Sequence, residues 1–174
     1  MPTKAYNNLK KNIKQVINWM KIEIKPAYDE IESIKALFTE YTQMLGVNLD
    51  FQNYDQELEQ LPGKYSLPSG RLYMACADSQ AIGCAALRRI NDEICEMKRL
   101  YVKPEFRGQK IGQMLTDQII QDAVKLRYDY MVLDTFTSLK SAINLYKKLG
   151  FYEIEPYYQN PLENVVYMQL KLLS

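Results

Sequence analysis

The 174-residue chain contains no histidine. That absence closes off Ser-His-Asp and Cys-His catalysis, and with them the usual zinc and non-haem iron sites. Cysteine is nearly as scarce. Cys76, Cys84 and Cys95 are odd in number and lack C-x-x-C spacing. They read as small buried hydrophobes in a reduced cytoplasm, with no metal site among them. Any acid–base chemistry must come from Asp, Glu, Lys, Tyr or the backbone. No apolar run approaches the length of a membrane span. The opening M-P-T-K-A-Y-N-N-L-K-K has no apolar core, so no secretory signal is expected. Charge of one sign is missing too: 22 Lys and Arg stand against 21 Asp and Glu, a net charge of +1. A nucleic-acid partner gathered by bulk charge is not expected.

What is present is a chain of ordinary globular composition, 47% apolar and 25% charged, long enough for one domain with a substantial core. A single domain over 1–174 is therefore expected. Up to about Met20 the segment is Lys- and Asn-rich, with Ile13, Val16, Ile17 and Met20 at the spacing of an amphipathic extension helix. Ile22–Ile24 reads as a strand ended by Pro26. Asp29 is expected to cap a helix through Met44, with Ile31, Ile34, Leu37, Phe38 and Tyr41 on one face and Gly46 closing it. A weaker helix covers Tyr54–Leu61 before the turn at Pro62-Gly63. Leu72–Ala77, Ala81–Arg88 and Ile94–Val102 read as an antiparallel meander, the first two joined by Asp78-Ser79-Gln80. Ile111, Leu115, Ile119, Ala123 and Leu126 repeat at helical spacing. Tyr130–Asp134 follows as a strand, then a helix from Leu139 to Leu149 stopped by Gly150, and strands at Phe151–Ile154 and Val165–Leu172. The strand–helix–strand from Ile94 to Asp134 predicts a right-handed parallel crossover. The fold class is α+β: a mixed seven-stranded sheet with an N-terminal antiparallel meander and about four helices.

The chemistry concentrates in I-C-E-M-K-R-L-Y-V-K-P-E-F-R-G-Q-K-I-G, from Ile94 to Gly112. A strand runs through a proline turn into a basic glycine loop that opens a helix. Backbone N–H groups at a helix N-terminus suit an anion, and Arg107 and Lys110 add positive charge beside them. The glycine pair lacks the gap and the Lys-Ser/Thr of a Walker A loop, and the G-x-G-x-x-G of a dinucleotide fingerprint is absent.

Three motifs in order, R-L-Y-V, P-E-F-R-G-Q-K-I-G and S-A-I-N-L-Y-K-K-L-G-F, resemble those of the GNAT superfamily of acetyl-CoA-dependent N-acetyltransferases. The resemblance runs from about Ile22 to Leu172 and is densest between Glu96 and Phe151. It implies acetyl-CoA as co-substrate, no metal, and direct acetyl transfer to a primary amine of a small molecule or peptide. It further implies that backbone groups of Leu100, Tyr101 and Val102 meet the pantetheine arm. Arg107, Gly108, Gln109, Lys110, Ile111, Gly112 and Gln113 would then hold the pyrophosphate. Lys110 departs from the family pattern, which usually has Gly there. A left-handed backbone costs a lysine about 1 kcal/mol, so an α-region geometry is expected instead.

Tyr146, in L-Y-x-x-x-G-F, stands where family members often place a tyrosine near the CoA sulfur. The resemblance implies a general acid; packing against the sheet is the competing role. Leu139 stands where the family frequently has Asn, and Asn144, nearby but on another face, is expected as a contact to the cofactor. For the general base, Glu96 and Asp134 are both candidates. By strand alternation Glu96 shares a face with Lys98, Leu100 and Val102, while Asp134 ends the next strand. Each also has a structural role open to it, Glu96 in a salt bridge with Lys98 or Arg99 and Asp134 in a cap or loop hydrogen bond. The strands ending at Val102 and Asp134 are expected to splay around the pantetheine, and an N–H near Leu100 to meet the oxyanion.

Family architecture puts the acceptor between Glu40–Lys64 and Glu155–Asn164. In E-P-Y-Y-Q-N-P-L-E-N, Tyr157 and Tyr158 either line that site, pack on the neighbouring loop or meet the partner of a homodimer. No membrane or nucleic-acid partner is expected, and the location is cytoplasmic. Two rival readings stand beside the enzyme: a non-catalytic CoA-binding regulatory domain on the same scaffold, and an unrelated α+β interaction domain.

Overall fold

A computed structural model describes residues 20–47, 49 and 53–172. The expected extension helix before Met20 lies outside the described residues. Within them a seven-stranded sheet has the order β1-β2-β3-β4-β5-β7-β6. Its strands are β1 (Ile22–Pro26), β2 (Arg71–Ala77), β3 (Gln80–Arg89), β4 (Ile94–Val102), β5 (Tyr130–Phe136), β6 (Tyr152–Ile154) and β7 (Val165–Lys171). Four α-helices are described: α1 (Ile31–Leu45), α2 (Tyr54–Glu59), α3 (Ile111–Lys125) and α4 (Lys140–Lys148). β1 to β4 form the antiparallel meander. β4 and β5 pair in parallel across α3, and β7 runs antiparallel between β5 and β6.

Strand alternation sends apolar side chains to both faces, so the sheet carries two cores. On one face Ala85, Leu87, Cys95, Met97, Met131 and Leu133 pack under α3 and α4 through Ile111, Leu115, Ile119 and Tyr146. On the other, Leu72, Met74, Cys84, Ala86 and Tyr101 pack under α1 through Ile34, Leu37 and Phe38. β3 is built from small residues at its centre. Gly83 has no freedom to be larger, because a Cβ there would sit 2.7 Å from the Tyr101 carbonyl oxygen.

The first helix begins differently from expectation. Glu30, not Asp29, occupies the N-cap, and no side chain caps the helix. The Glu30 carboxylate instead accepts from Lys25 Nζ at 3.2 Å and Ser33 Oγ at 3.4 Å. Gly46 does close α1, at φ 64, with its N–H directed to the Thr42 and Gln43 carbonyls.

One irregularity decides what faces the cleft. Cys84 of β3 opposes Tyr101, yet Ala86 opposes Lys98, so β4 carries an extra residue. Arg99 takes it up in a left-handed conformation at φ 59, making a bulge. The bulge resets the alternation. Glu96 and Lys98 lie on the α1 face with Tyr101, whereas Leu100 and Val102 pack with Cys95 and Met97 on the α3 face. The expectation that Glu96, Lys98, Leu100 and Val102 share one face is therefore corrected.

Candidate active site

The parallel pair β4 and β5 is matched at only three positions, Ile94 with Tyr130, Cys95 with Met131 and Glu96 with Val132. Both strands continue beyond this, to Val102 and Phe136. The unpaired ends leave a cleft lined by Met97, Lys98 and Leu100 from β4 and by Asp134 and Phe136 from β5. Here the two faces of the sheet communicate. Leu139, Ala142 and Tyr146 close the cleft from the α4 side, and Tyr41 and Asn160 from the α1 side.

Tyr146 is buried, and its ring lies 5.6 Å from that of Phe151 at an interplanar angle of 56°. Burial pushes its hydroxyl pKa well up, reinforced by Tyr41 and Asp134. The group stays protonated and can donate a proton where a basic leaving group appears. Asn144 is exposed on α4 and stands off the face that carries Leu139, Ala142 and Tyr146.

The two carboxylates have different surroundings. Glu96 is fully buried. It accepts from Arg88 Nε through Oε2 and from the Tyr157 hydroxyl, at 2.7 Å, through Oε1. The Lys98 ammonium is 3.8 Å away. Burial raises the Glu96 pKa, but the charges of Lys98 and Arg88 and the two hydrogen bonds outweigh it and hold the group low. Burial pulls Lys98 down, against the attraction of Glu96. Asp134 is half-buried, lines the cleft, and accepts from the Tyr158 hydroxyl at 2.9 Å. Tyr157 and Tyr158 thus reach the two candidate bases from one loop. A composition scan shows their aromatic character but cannot show this pairing, which depends on the insertion of β7 beside β5.

The second half of the site is the loop before α3. A short 3₁₀ turn at Pro104–Phe106 leads to Arg107, and Gly108 has φ 83. Lys110 takes the left-handed conformation after all, at φ 62 and ψ 13. The α-region geometry expected of it is corrected: the turn into α3 requires a left-handed residue whichever side chain occupies it. The first helical bond runs from Met114 N–H to the Lys110 carbonyl at 2.9 Å. The N–H groups of Ile111, Gly112 and Gln113 therefore have no acceptor within the helix. A Cβ on Gly108 would meet nothing within 4 Å. Gln109 is half-buried and Arg107 exposed. Arg107 folds back, its Nε donating to the Val102 carbonyl at 2.9 Å and Nη2 to Met44 Sδ at 2.9 Å. Its guanidinium lies 5.9 Å from the Tyr101 ring centroid. The Val102 carbonyl is thereby engaged from within the chain, while Leu100 borders the cleft directly.

The three cysteines are buried and unpaired. Burial pushes the Cys84 thiol far up and Cys95 up to about 12, which leaves neither a ready nucleophile. Among the described residues no group of three or more Cys, Asp and Glu could hold a metal ion, and no helix is long and apolar enough to cross a membrane.

A splayed parallel pair, a left-handed loop leading into a helix, and a buried tyrosine between them define an acyltransferase scaffold. Residues 31–151 match the acetyltransferase (GNAT) family model, and the chain belongs to that family. An uncharacterized N-acetyltransferase of Schizosaccharomyces pombe is 46% identical over 82% of this chain and 89% of its own length. Another from Dictyostelium discoideum is 37% identical over 88% of this chain and all of its own. The fold is also that of the PaiA N-acetyltransferase of Thermoplasma acidophilum, solved in complex with coenzyme A. That match has a TM-score of 0.68 and 21% identity, over 87% of this chain and 99% of the other.

Proposed function

We infer that this chain moves the acetyl group of acetyl-CoA directly to a primary amine of a small molecule or peptide, with no covalent enzyme intermediate. The observation that carries this reading is the cleft between β4 and β5. Tyr146 and Asp134 both line this one opening, Tyr146 from α4 and Asp134 from β5. Coenzyme A in the Thermoplasma neighbour supports the same occupant here. The pyrophosphate lies against the N–H groups of Ile111, Gly112 and Gln113, with Lys110 beside it and Gly108 leaving room. The pantetheine enters between the strands along Leu100, and the acceptor amine comes from the α1 side.

The neutral amine attacks the thioester carbonyl and forms the new N–C bond, and its surplus proton passes to a carboxylate. As the C–S bond breaks, the departing thiolate takes the Tyr146 proton. Solvent then returns Asp134 and Tyr146 to their starting states. We assign the carboxylate as Asp134, because both oxygens of Glu96 already have donors and its charge is held by Arg88 and Lys98. Buried thiols with raised pKa values support direct transfer over a cysteine shuttle. Reduced cysteines and a near-zero net charge suit a cytoplasmic enzyme without membrane or nucleic-acid partners.

The test is a thermal melt with acetyl-CoA, using ATP and NAD as controls. Ligand at a hundred times its dissociation constant adds about 2.7 kcal/mol, a rise of roughly 5–10 °C at this size. Acetyl-CoA-specific stabilisation followed by amine-dependent thiol release is the expected result. Stabilisation without thiol release from any amine favours the non-catalytic CoA-binding domain. No shift with any CoA species overturns the assignment.

A further inference from the structure

We propose that Tyr158 and Asn160 are positioning residues that aim Asp134 at the acceptor amine; the proposal rests on the reading of Asp134 as proton acceptor. The hydrogen bonds between them have one direction only. The Leu162 N–H donates to Asn160 Oδ1 at 2.9 Å, which fixes the side-chain amide with its nitrogen outward. Asn160 Nδ2 can only donate, and does so to the Tyr158 oxygen at 3.0 Å. With a lone pair of that oxygen taken, the Tyr158 proton is sent to Asp134 Oδ2 at 2.9 Å. The carboxylate can only accept. Three bonds thus run from the loop backbone to Asp134 Oδ2, on a carboxylate that lines the cleft.

The ring of Tyr158 is held as firmly as its hydroxyl. It lies 5.3 Å from Tyr157 and 5.7 Å from Tyr167, the latter at 79°. Tyr167 is the β7 residue opposite Asp134 in the β5–β7 ladder. Pro156 and Pro161 bracket the segment and restrict its backbone. Asn160 and Leu162 also line the cleft, so one loop both orients the carboxylate and walls the acceptor side. An oriented base lowers the barrier only if its geometry is set before the amine arrives. The relay supplies that setting from a segment carrying no reacting atom.

The experiment measures thiol release from acetyl-CoA with glycine, aspartate, spermidine and a tetrapeptide as acceptors, using wild type, Tyr158→Phe, Asn160→Ala, Asp134→Asn and Asp134→Asn/Tyr158→Phe. Tyr158→Phe keeps the aromatic cluster and removes one hydroxyl. Its kcat falls about tenfold, less than the roughly 10²-fold or more of losing a general base outright, with the KM for acetyl-CoA and the melting temperature unchanged. Asn160→Ala falls in the same direction. The double variant is no slower than Asp134→Asn alone, because residues acting as one unit are not additive. Unchanged kcat in Tyr158→Phe, or a full multiplicative loss in the double variant, overturns the proposal. A wild type that binds acetyl-CoA yet releases thiol with no amine overturns the proposed function, and this inference with it.

Discussion

Arg99 grips Glu57 with both ends of its guanidinium, Nε to Oε1 at 2.9 Å and Nη2 to Oε2 at 3.0 Å, across 42 positions of sequence. Both side chains are almost fully buried. The bulge residue of β4 is thereby pinned to α2. Lys64 at 2.6 Å and the Tyr65 hydroxyl at 2.7 Å complete the coordination of Glu57, and Arg99 also lies over the Tyr54 ring at 5.2 Å. A buried fork of this kind is weak evidence of net stability, but breaking it leaves an uncompensated charge. Glu57→Gln is expected to cost about 3–5 kcal/mol, visible as a fall of roughly 10 °C in melting temperature.

The same carboxylate sets an acid limit. Burial raises the Glu57 pKa, but the bonds and charges of Arg99 and Lys64 reverse this and hold it at about 2, against an ordinary 4.5. Its contribution is complete above the unfolded value and is lost as pH falls from about 4.5 toward 2, because the unfolded chain then binds the proton more readily. Urea midpoints measured between pH 6 and pH 2.5 should fall steeply in wild type. They should fall less in Glu57→Gln, which has already lost this group. Parallel slopes in the two proteins would remove Glu57 as the cause.

Gly83 offers a backbone test of the β3–β4 contact. A Cβ at 2.7 Å from the Tyr101 carbonyl oxygen meets main chain that cannot swing away. Gly83→Ala must therefore separate the two strands next to the bulge, with a cost of about 1–3 kcal/mol or more. Gly112→Ala is the matched control. Its Cβ would lie 3.9 Å from Leu145 Cδ2 and Val102 Cγ2, ordinary contact distances. Comparing their melting temperatures decides the matter: a large loss is expected only at Gly83.

The strand and helix order was legible because the signals were local. Ile94–Val102 is β-like in composition, and Ile111, Leu115 and Ile119 repeat at helical spacing before a loop bearing glycines. The bulge was not legible. A period-two reading of I-C-E-M-K-R-L-Y-V must put Leu100 with Glu96, and Arg99 gives no glycine-like sign of a left-handed backbone. Its conformation is held by Glu57, a partner no local pattern reveals. The donors to Glu96 and Asp134 were equally hidden. Tyr157 and Tyr158 reach them only because β7 enters the sheet beside β5. The left-handed Lys110 shows the converse, a geometry imposed by the turn into α3 against the preference of its own side chain.

That strain at Lys110 predicts a stabilising substitution. An L-residue in the left-handed region costs about 1–2 kcal/mol, part of which glycine returns through its larger unfolded-state entropy. Lys110→Gly should raise the melting temperature by about 1–3 °C, while acetyl-CoA affinity falls by only the loss of one exposed cation near the loop. Gly108→Glu separates stability from binding more sharply. Its side chain enters open space, though at φ 83 it pays a similar conformational cost. The carboxylate then adds a negative charge to the loop proposed to hold the pyrophosphate. Calorimetric titration should show acetyl-CoA binding abolished in a protein that still folds. Retained affinity would remove this loop from the cofactor site.

Tyr146→Phe tests whether the buried hydroxyl does chemistry or only packs. The ring contact with Phe151 at 5.6 Å belongs to either tyrosine or phenylalanine, so the substitution keeps the packing on the α3 face. Burial holds the tyrosine protonated across the neutral range, which suits an acid that acts only when a thiolate leaves. The expected result is a fall in kcat of about 10²-fold, the lower end of general-acid effects, with acetyl-CoA affinity within about twofold of wild type. A variant that lost affinity and melting temperature together, with kcat preserved, would assign Tyr146 to the core. Solvent deuterium should slow the wild type more than the variant if proton delivery from this hydroxyl limits breakdown of the thioester adduct, and that difference separates an absent acid from a merely displaced helix.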